Sequence, residues 1–162
     1  MPEMPGFAVD AFRYGKVDGI RGYFLTHFHS DHYGGMTANW THGKIYCSSV
    51  TGELVLRQIK VDPEFIVKLP LNETVHIEGV DVTLIEANQY TSLGCTSNNS
   101  CPGSVLFLFE KRVGKKVYRI LHCGDFRASP IHINHPAIKG KFIDAVYLDT
   151  TYLKSGPFTP SD

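Results

Sequence analysis

The chain has 162 residues, 43% of them hydrophobic, enough for one compact domain with a core and too few for two ordinary ones. Its 16 basic and 16 acidic side chains cancel, which excludes bulk attraction to nucleic acid or anionic membrane and leaves only local contacts. The 4 cysteines (Cys47, Cys95, Cys101, Cys123) form no C-x-x-C pair, and no signal peptide or spanning apolar run is visible, so a soluble intracellular protein with reduced thiols and no membrane partner is expected.

Between Phe7 and Asp149 short β-branched and aromatic runs alternate with Gly, Pro and Asn, without an internal repeat. Phe7–Phe12 and Ile20–Thr26 are the first predicted strands, and a short helical turn is expected after His32. Lys44–Cys47 reads as a strand, followed by a helix over Ser48–Ile59 that Ser48 or Ser49 can cap and whose Val50, Leu54, Val55 and Ile59 form one core-facing stripe. Phe65–Leu69, Thr74–Glu78 and Val80–Glu86 follow as strands. Gln89–Ser100 turns to Ser, Thr, Asn and Gly, which cannot bury a face and predict an exposed loop. Ser104–Phe109 and Val117–His122 read as strands joined through Lys111–Lys116, a hairpin connection with solvated charges. Phe142–Leu148 is the last predicted strand, and no element is expected from Lys154 to Asp162.

The chemistry concentrates in Thr26-His27-Phe28-His29-Ser30-Asp31-His32, directly after the apolar run Gly22–Leu25. In extended chain His27 and His29 project to the same side, so both imidazoles can grip one ion, while Asp31 and His32, beyond the turn, can face a second. Imidazole nitrogen and carboxylate oxygen are the donors of catalytic zinc sites, whereas structural sites favour thiolates. Gly124-Asp125-Phe126-Arg127 ends a predicted strand in a glycine turn, and a carboxylate at such a tip is costly unless paired or metal-bound, which makes Asp125 a candidate bridge between two metals. Asp10 and Asp149 also end strands, and either can orient a ligand histidine by accepting its second N–H. His122 is expected to pack or hydrogen-bond within its sheet, and His42, His76, His132 and His135 lack ligand spacing and read as surface or turn residues.

His-x-His-x-Asp-His followed by Gly-Asp resembles the metallo-β-lactamase superfamily, whose fold is an αββα sandwich with two metals at the edge of the sheets. Val9–Gly15, Tyr23–Tyr33, Gly124–Arg127 and Leu148–Tyr152 are similar to the β-CASP DNA-repair branch, which includes Artemis, Apollo and the interstrand cross-link repair 5′-exonucleases. The resemblance implies a mixed α/β (α+β) fold: residues 1–152 as an incomplete, N-terminal part of the sandwich, with a polar insert at 89–100 and an unstructured tail at 153–162 where the β-CASP region would follow. It implies His27 and His29 on a first metal, Asp31 and His32 on a second, and Asp125 across both, with Asp31 and Asp125 the catalytic carboxylates. Asp10 and Asp149 match the family's first-strand aspartate and the acidic residue that opens the β-CASP motifs. Two zinc ions, or magnesium or manganese, are the implied cofactors, damaged DNA with 5′-phosphorylated ends the implied partner, and the nucleus the implied location. The implied reaction is phosphodiester hydrolysis by water activated at two ions about 3.5–4 Å apart.

The family has Ala-Asn-His-Cys-Pro-Gly at its next motif. Here Ala87-Asn88 and Cys101-Pro102-Gly103 are present, but the twelve residues Gln89–Ser100 replace the histidine that completes the first metal site. A histidine codon split by a retained GT…AG intron would be read in frame as Gln at position 89 and Ser at position 100; such retention is one account of the insert, and a true loop insertion is the other. The expected activity is that of a metal-dependent 5′–3′ exodeoxyribonuclease in its parent, with this chain a truncated or inactive form. The alternatives are another metallo-β-lactamase-fold hydrolase, such as an RNA-processing nuclease, and a non-catalytic pseudo-enzyme fragment.

Overall fold

A computed structural model describes residues 6–87, 101–126 and 128–149. Among the described residues nine strands form two sheets. The first is parallel in the order β1 (Phe7–Val9), β2 (Gly22–Phe24), β3 (Lys44–Ser48) and β4 (Ile66–Leu69). The second runs β5 (Thr74–Ile77), β6 (Val80–Glu86), β7 (Val105–Val113), β8 (Lys116–His122) and β9 (Ala145–Tyr147); it is antiparallel except that β9 lies parallel to β8.

Alternation of side chains explains why both sheets are covered on both faces. Phe7 and Phe24 meet Val82, Leu84, Phe107, Phe109 and Ile120 between the sheets. The opposite face of the first sheet, with Tyr23, Leu25, Ile45 and Cys47, packs on Phe12, Trp40 and Val55. Leu106 and Leu108, neighbours of Phe107, point to the outer face of the second sheet, where Ala137, Ile138 and Ile143 cover them.

Each predicted strand has a counterpart, with altered ends. β1 stops at Val9 because Asp10 takes a left-handed φ of 50°, and Phe12–Tyr14 form a 3-10 turn whose Phe12 is buried. The Lys111–Lys116 segment is mostly strand: β7 runs to Val113, and Gly114 and Lys115 alone make the turn, with Gly114 at φ 61°. Phe142, expected in the last strand, is exposed ahead of it.

Helix is sparse. The four-residue α1 (Ser30–Tyr33) contains His32 rather than following it, because His29 acts as N-cap and its carbonyl accepts from the amides of His32 and Tyr33. α2 (Ser49–Leu54) is capped by Ser48, whose Oγ accepts from the Thr51 amide, and continues as a wider turn, Val55–Ile59, ended by Lys60 at φ 63°. The expected stripe is corrected here: Val50 is exposed, and Thr51 and Gly52 are buried with Val55. Ser48 Oγ and Thr51 Oγ1 also donate to the Gly103 carbonyl (2.6 and 3.3 Å), and a Cβ on Gly103, at φ +81°, would lie 2.6 Å from that of Val50. Ser104 accepts from the Ala87 amide (3.1 Å), so the two chain ends flanking 88–100 are tied to one another and to α2. The expectations for the 89–100 loop and the 153–162 tail lie outside the described residues. α3 (Pro130–Ile133) carries His132, which is buried and not the surface residue expected: its Nε2 lies 3.0 Å from the Glu86 carbonyl, and its ring meets Phe126.

Candidate metal centre

Two parallel strand pairs deliver the candidate residues to one edge. β1 and β2 run side by side into Asp10 and Thr26-His27, and β8 and β9 run side by side into Asp125 and Asp149. The sheets are stitched together there by the Val105 amide, which donates to the Thr26 carbonyl (3.0 Å). Gly124 brings the second pair against the first: a Cβ on it, at φ +53°, would lie 2.9 Å from both Cβ and Oγ1 of Thr26.

Asp10 organises the first wall. Its Oδ1 accepts from the Thr26 amide (2.9 Å), and its Oδ2 accepts from the Thr26 hydroxyl (2.7 Å) and lies 2.8 Å from His32 Nδ1. The only hydroxyl hydrogen of Thr26 is thereby used, so its Oγ1, 2.9 Å from His27 Nδ1, accepts from that nitrogen. His27 and His32 each spend Nδ1–H on this network and turn the Nε2 lone pair into the site. His29 Nδ1 stands 2.8 Å from His27 Nε2.

Asp125 faces both lone pairs. Its Oδ2 is 3.5 Å from His27 Nε2 and its Oδ1 3.3 Å from His32 Nε2, while Asp31 Oδ2 is 3.6 Å from the same His32 nitrogen. A cation bound here would meet imidazole nitrogens of His27 and His32 and the Asp125 carboxylate at once. Ligand atoms of His27, His29 and Asp125 all lie within 4.8 Å of one another, so the residues present fit a metal ion. Asp31, His32, His122, Asp125, Tyr147 and Asp149 line a cavity of about 480 Å³ beside this cluster.

The electrostatics follow from burial and from this crowding. Burial, with the His32 and His29 charges adding, lowers His27 to about 4, which keeps its ring neutral and able to donate a lone pair. Burial opposes the charge on His32 too, but the hydrogen bond to Asp10 and the charges of Asp10, Asp125 and Asp31 outweigh it and raise the group. Asp125 is raised, first by burial and then by Asp149 and Asp31, against the opposing charge of His32.

All seven residues singled out from the sequence (Asp10, His27, His29, Asp31, His32, Asp125, Asp149) come together at this edge. Sequence reasoning gave no role to Thr26, whose hydroxyl sets the His27 tautomer; His122 packs within its sheet as expected, stacking on Tyr147 (centroids 5.5 Å apart) and lowered by burial, but it also lines the cavity. A threonine directly before the first histidine was the available signal for Thr26, and a histidine closing the strand before Gly124-Asp125 the signal for the place of His122 on the cavity wall.

No protein-family model matches the chain. The DNA cross-link repair protein pso2/snm1 of Schizosaccharomyces pombe is 50% identical over 153 residues, covering 94% of this chain and 25% of that protein. The human DNA cross-link repair 1A protein is 42% identical, covering 91% and 13%, and the 5′ exonuclease Apollo of Gallus gallus is 38% identical, covering 98% and 32%. The chain thus spans about a quarter of the length of the fission-yeast protein. Among solved structures, unliganded yeast PDE1 aligns with a TM-score of 0.52 at 19% identity over 68% of this chain and 36% of that one, a likeness of fold. A metallo-β-lactamase from Cronobacter sakazakii aligns with a TM-score of 0.49 at 15% identity over 78% and 52%. The chain belongs to the family of the DNA cross-link repair proteins, to one segment of which it is homologous over nearly its whole length.

Proposed function

We propose that this chain carries the metal-binding part of a DNA repair nuclease, a 5′–3′ exodeoxyribonuclease acting on DNA ends in the nucleus during interstrand cross-link and double-strand-break repair. The observation that supports it most directly is the Asp125 carboxylate held between two inward imidazole lone pairs, 3.5 Å from His27 Nε2 and 3.3 Å from His32 Nε2. The relatives named for cross-link repair and for 5′ exonuclease activity supply the reaction class.

In this reading His27 and His29 would hold one metal, Asp31 and His32 would hold a second, and Asp125 would serve both. Zinc suits the imidazole and carboxylate donors, with magnesium or manganese as alternatives. Such ions, when bound, lower the pKa of water and neutralise charge on phosphoryl oxygens. The protein's own part is to orient. Asp10 fixes the His32 ring directly and the His27 ring through Thr26, so neither imidazole has to reorganise. Asp31, whose side chain is 72% exposed, stands between the site and solvent, where it can pass a proton outward. Burial first, and then the charges of Asp149 and Asp31, disfavour an unaccompanied negative charge on Asp125, a cost that a bound cation would offset.

A second reading, a non-catalytic member of the family, is favoured by Gln89 standing where the motif has histidine. One assay separates them. Hydrolysis of 5′-phosphorylated single-stranded DNA is measured with added zinc for this chain, for a variant in which one histidine replaces residues 89–100, and for that variant with Asp125→Asn. The nuclease reading expects activity in the histidine variant and a loss of at least about a hundredfold on Asp125→Asn. Metal binding without hydrolysis in any form would sink it in favour of the second reading.

A further inference from the structure

The 3-10 turn Phe12–Tyr14 takes no part in the site described above, yet it is locked to it. Phe12 is buried against Tyr23 and Trp40, with ring centroids 5.9 and 5.3 Å apart. The Tyr23 hydroxyl donates to the Gly15 carbonyl (3.1 Å) and accepts from the Val17 amide (3.4 Å), closing the loop. The residues that end α1 press on the same turn. A Cβ on Gly35, at φ +96°, would lie 2.5 Å from Cα of Arg13, and one on Gly34 would lie 2.7 Å from Arg13 Nε and 2.8 Å from the Ser30 carbonyl. Backbones this close admit only glycine. The Arg13 side chain therefore lies across the end of the short helix that carries Asp31 and His32.

The exposed side chains of this anchored loop include Arg13, Tyr14 and Lys16, with Val17 and Asp18 after them. Tyr14, 78% exposed, is the most exposed large apolar side chain among the described residues, and Arg13 and Lys16 flank it. Among the described residues no carboxylate pairs with either cation, Asp18 of the same loop included. A rigid turn gains nothing in stability by showing an aromatic ring between two such cations. The combination does match what a single nucleic-acid strand needs: cations for phosphates and an open ring face for a base. In a chain of zero net charge, a local basic platform is also the form that strand binding has to take.

We propose that Arg13, Tyr14 and Lys16 form a docking platform for the DNA strand presented to the candidate metal centre; this rests on the nuclease reading above. The cations hold consecutive phosphates and Tyr14 stacks on a base, setting the strand beside Asp31 and His32.

The test is fluorescence anisotropy of a short labelled oligothymidylate against the whole chain over a range of salt concentrations. The R13Q/K16Q double variant should lower the slope of log affinity against log salt by about 1.4, about 0.7 for each lost phosphate contact. Tyr14→Ala should weaken binding about tenfold at fixed salt. Lys115→Gln, in the exposed hairpin at the far end of β8 from the site, should change neither, and thermal midpoints should match throughout. Slopes and affinities equal to the parent chain's would overturn the platform and leave the nuclease reading standing. No binding by the parent chain would likewise overturn the platform, while the nuclease reading stands or falls with the hydrolysis assay above.

Discussion

The two sheets divide the labour of the molecule. In the parallel sheet β1 and β2 are three residues long, and what matters is where they end: both deliver polar residues to one edge, Asp10 from one and Thr26-His27 from the other. In the second sheet β7 runs nine residues and its Val105–Phe109 stretch is buried on both faces, so length and apolar burial hold the structure together. Parallel strands gather their C-terminal ends by construction, whereas antiparallel ones disperse them. Among the described residues the one parallel strand pair of the second sheet, β8 with β9, is the pair that contributes to the site. Stability and chemistry are thus separable by strand direction.

The largest expected effect tests the stability half. Phe107→Ala removes a ring in contact with Phe24 and Phe109 at the centre of the inter-sheet core, and should cost about 3–5 kcal/mol in denaturant unfolding. A cost below about 1 kcal/mol would break the division.

The parallel sheet has its own buried weak point. Burial pushes the Cys47 thiol from 9.0 up to about 12, against a smaller opposing effect of the Lys68 charge. The unfolded thiol ionises at its ordinary value, so the contribution is fully present below about pH 9 and is lost as pH rises toward 12. By about pH 11 the loss should be of the order of 3 kcal/mol. Cys47→Ala should unfold with a flatter alkaline limb, and an unchanged limb would show that other groups govern it.

The smallest effect on folding should come with a specific effect on the site. Asp10→Asn keeps the shape but cannot accept all three hydrogen bonds, so metal affinity should fall about 10–100-fold in a chelator competition while the unfolding midpoint moves little. A large stability loss with unchanged affinity would reverse the assignment of roles.

What could be read in the sequence followed the same division. Periodicity located the strands, because Val105–Phe109 and Val80–Glu86 must bury their side chains whatever the topology. The ends were misplaced where tertiary contacts override local pattern, as at Asp10, whose left-handed backbone belongs to its bonds with Thr26 and His32. Sheet direction was not legible, since nothing local distinguishes β8 beside β9 from β8 beside β7. At the site, the crowding of His27, His29, Asp31 and His32 in six residues could be seen in advance. The tautomers could not: they depend on one threonine hydrogen going to Asp10, a choice visible only once β1 lies beside β2.

The clamp at Gly103 bears on how this molecule tolerates change. With Ala87 tied to Ser104, and Gly103 tied to Ser48 and Thr51, the strands on either side are fixed without reference to what lies between residues 87 and 101. For such a pinned gap, closure entropy grows only logarithmically with length, about 0.6 kcal/mol for each doubling. Segments of very different size can be exchanged at this position for little folding free energy, so what sets their permitted length is chemistry at the adjoining site.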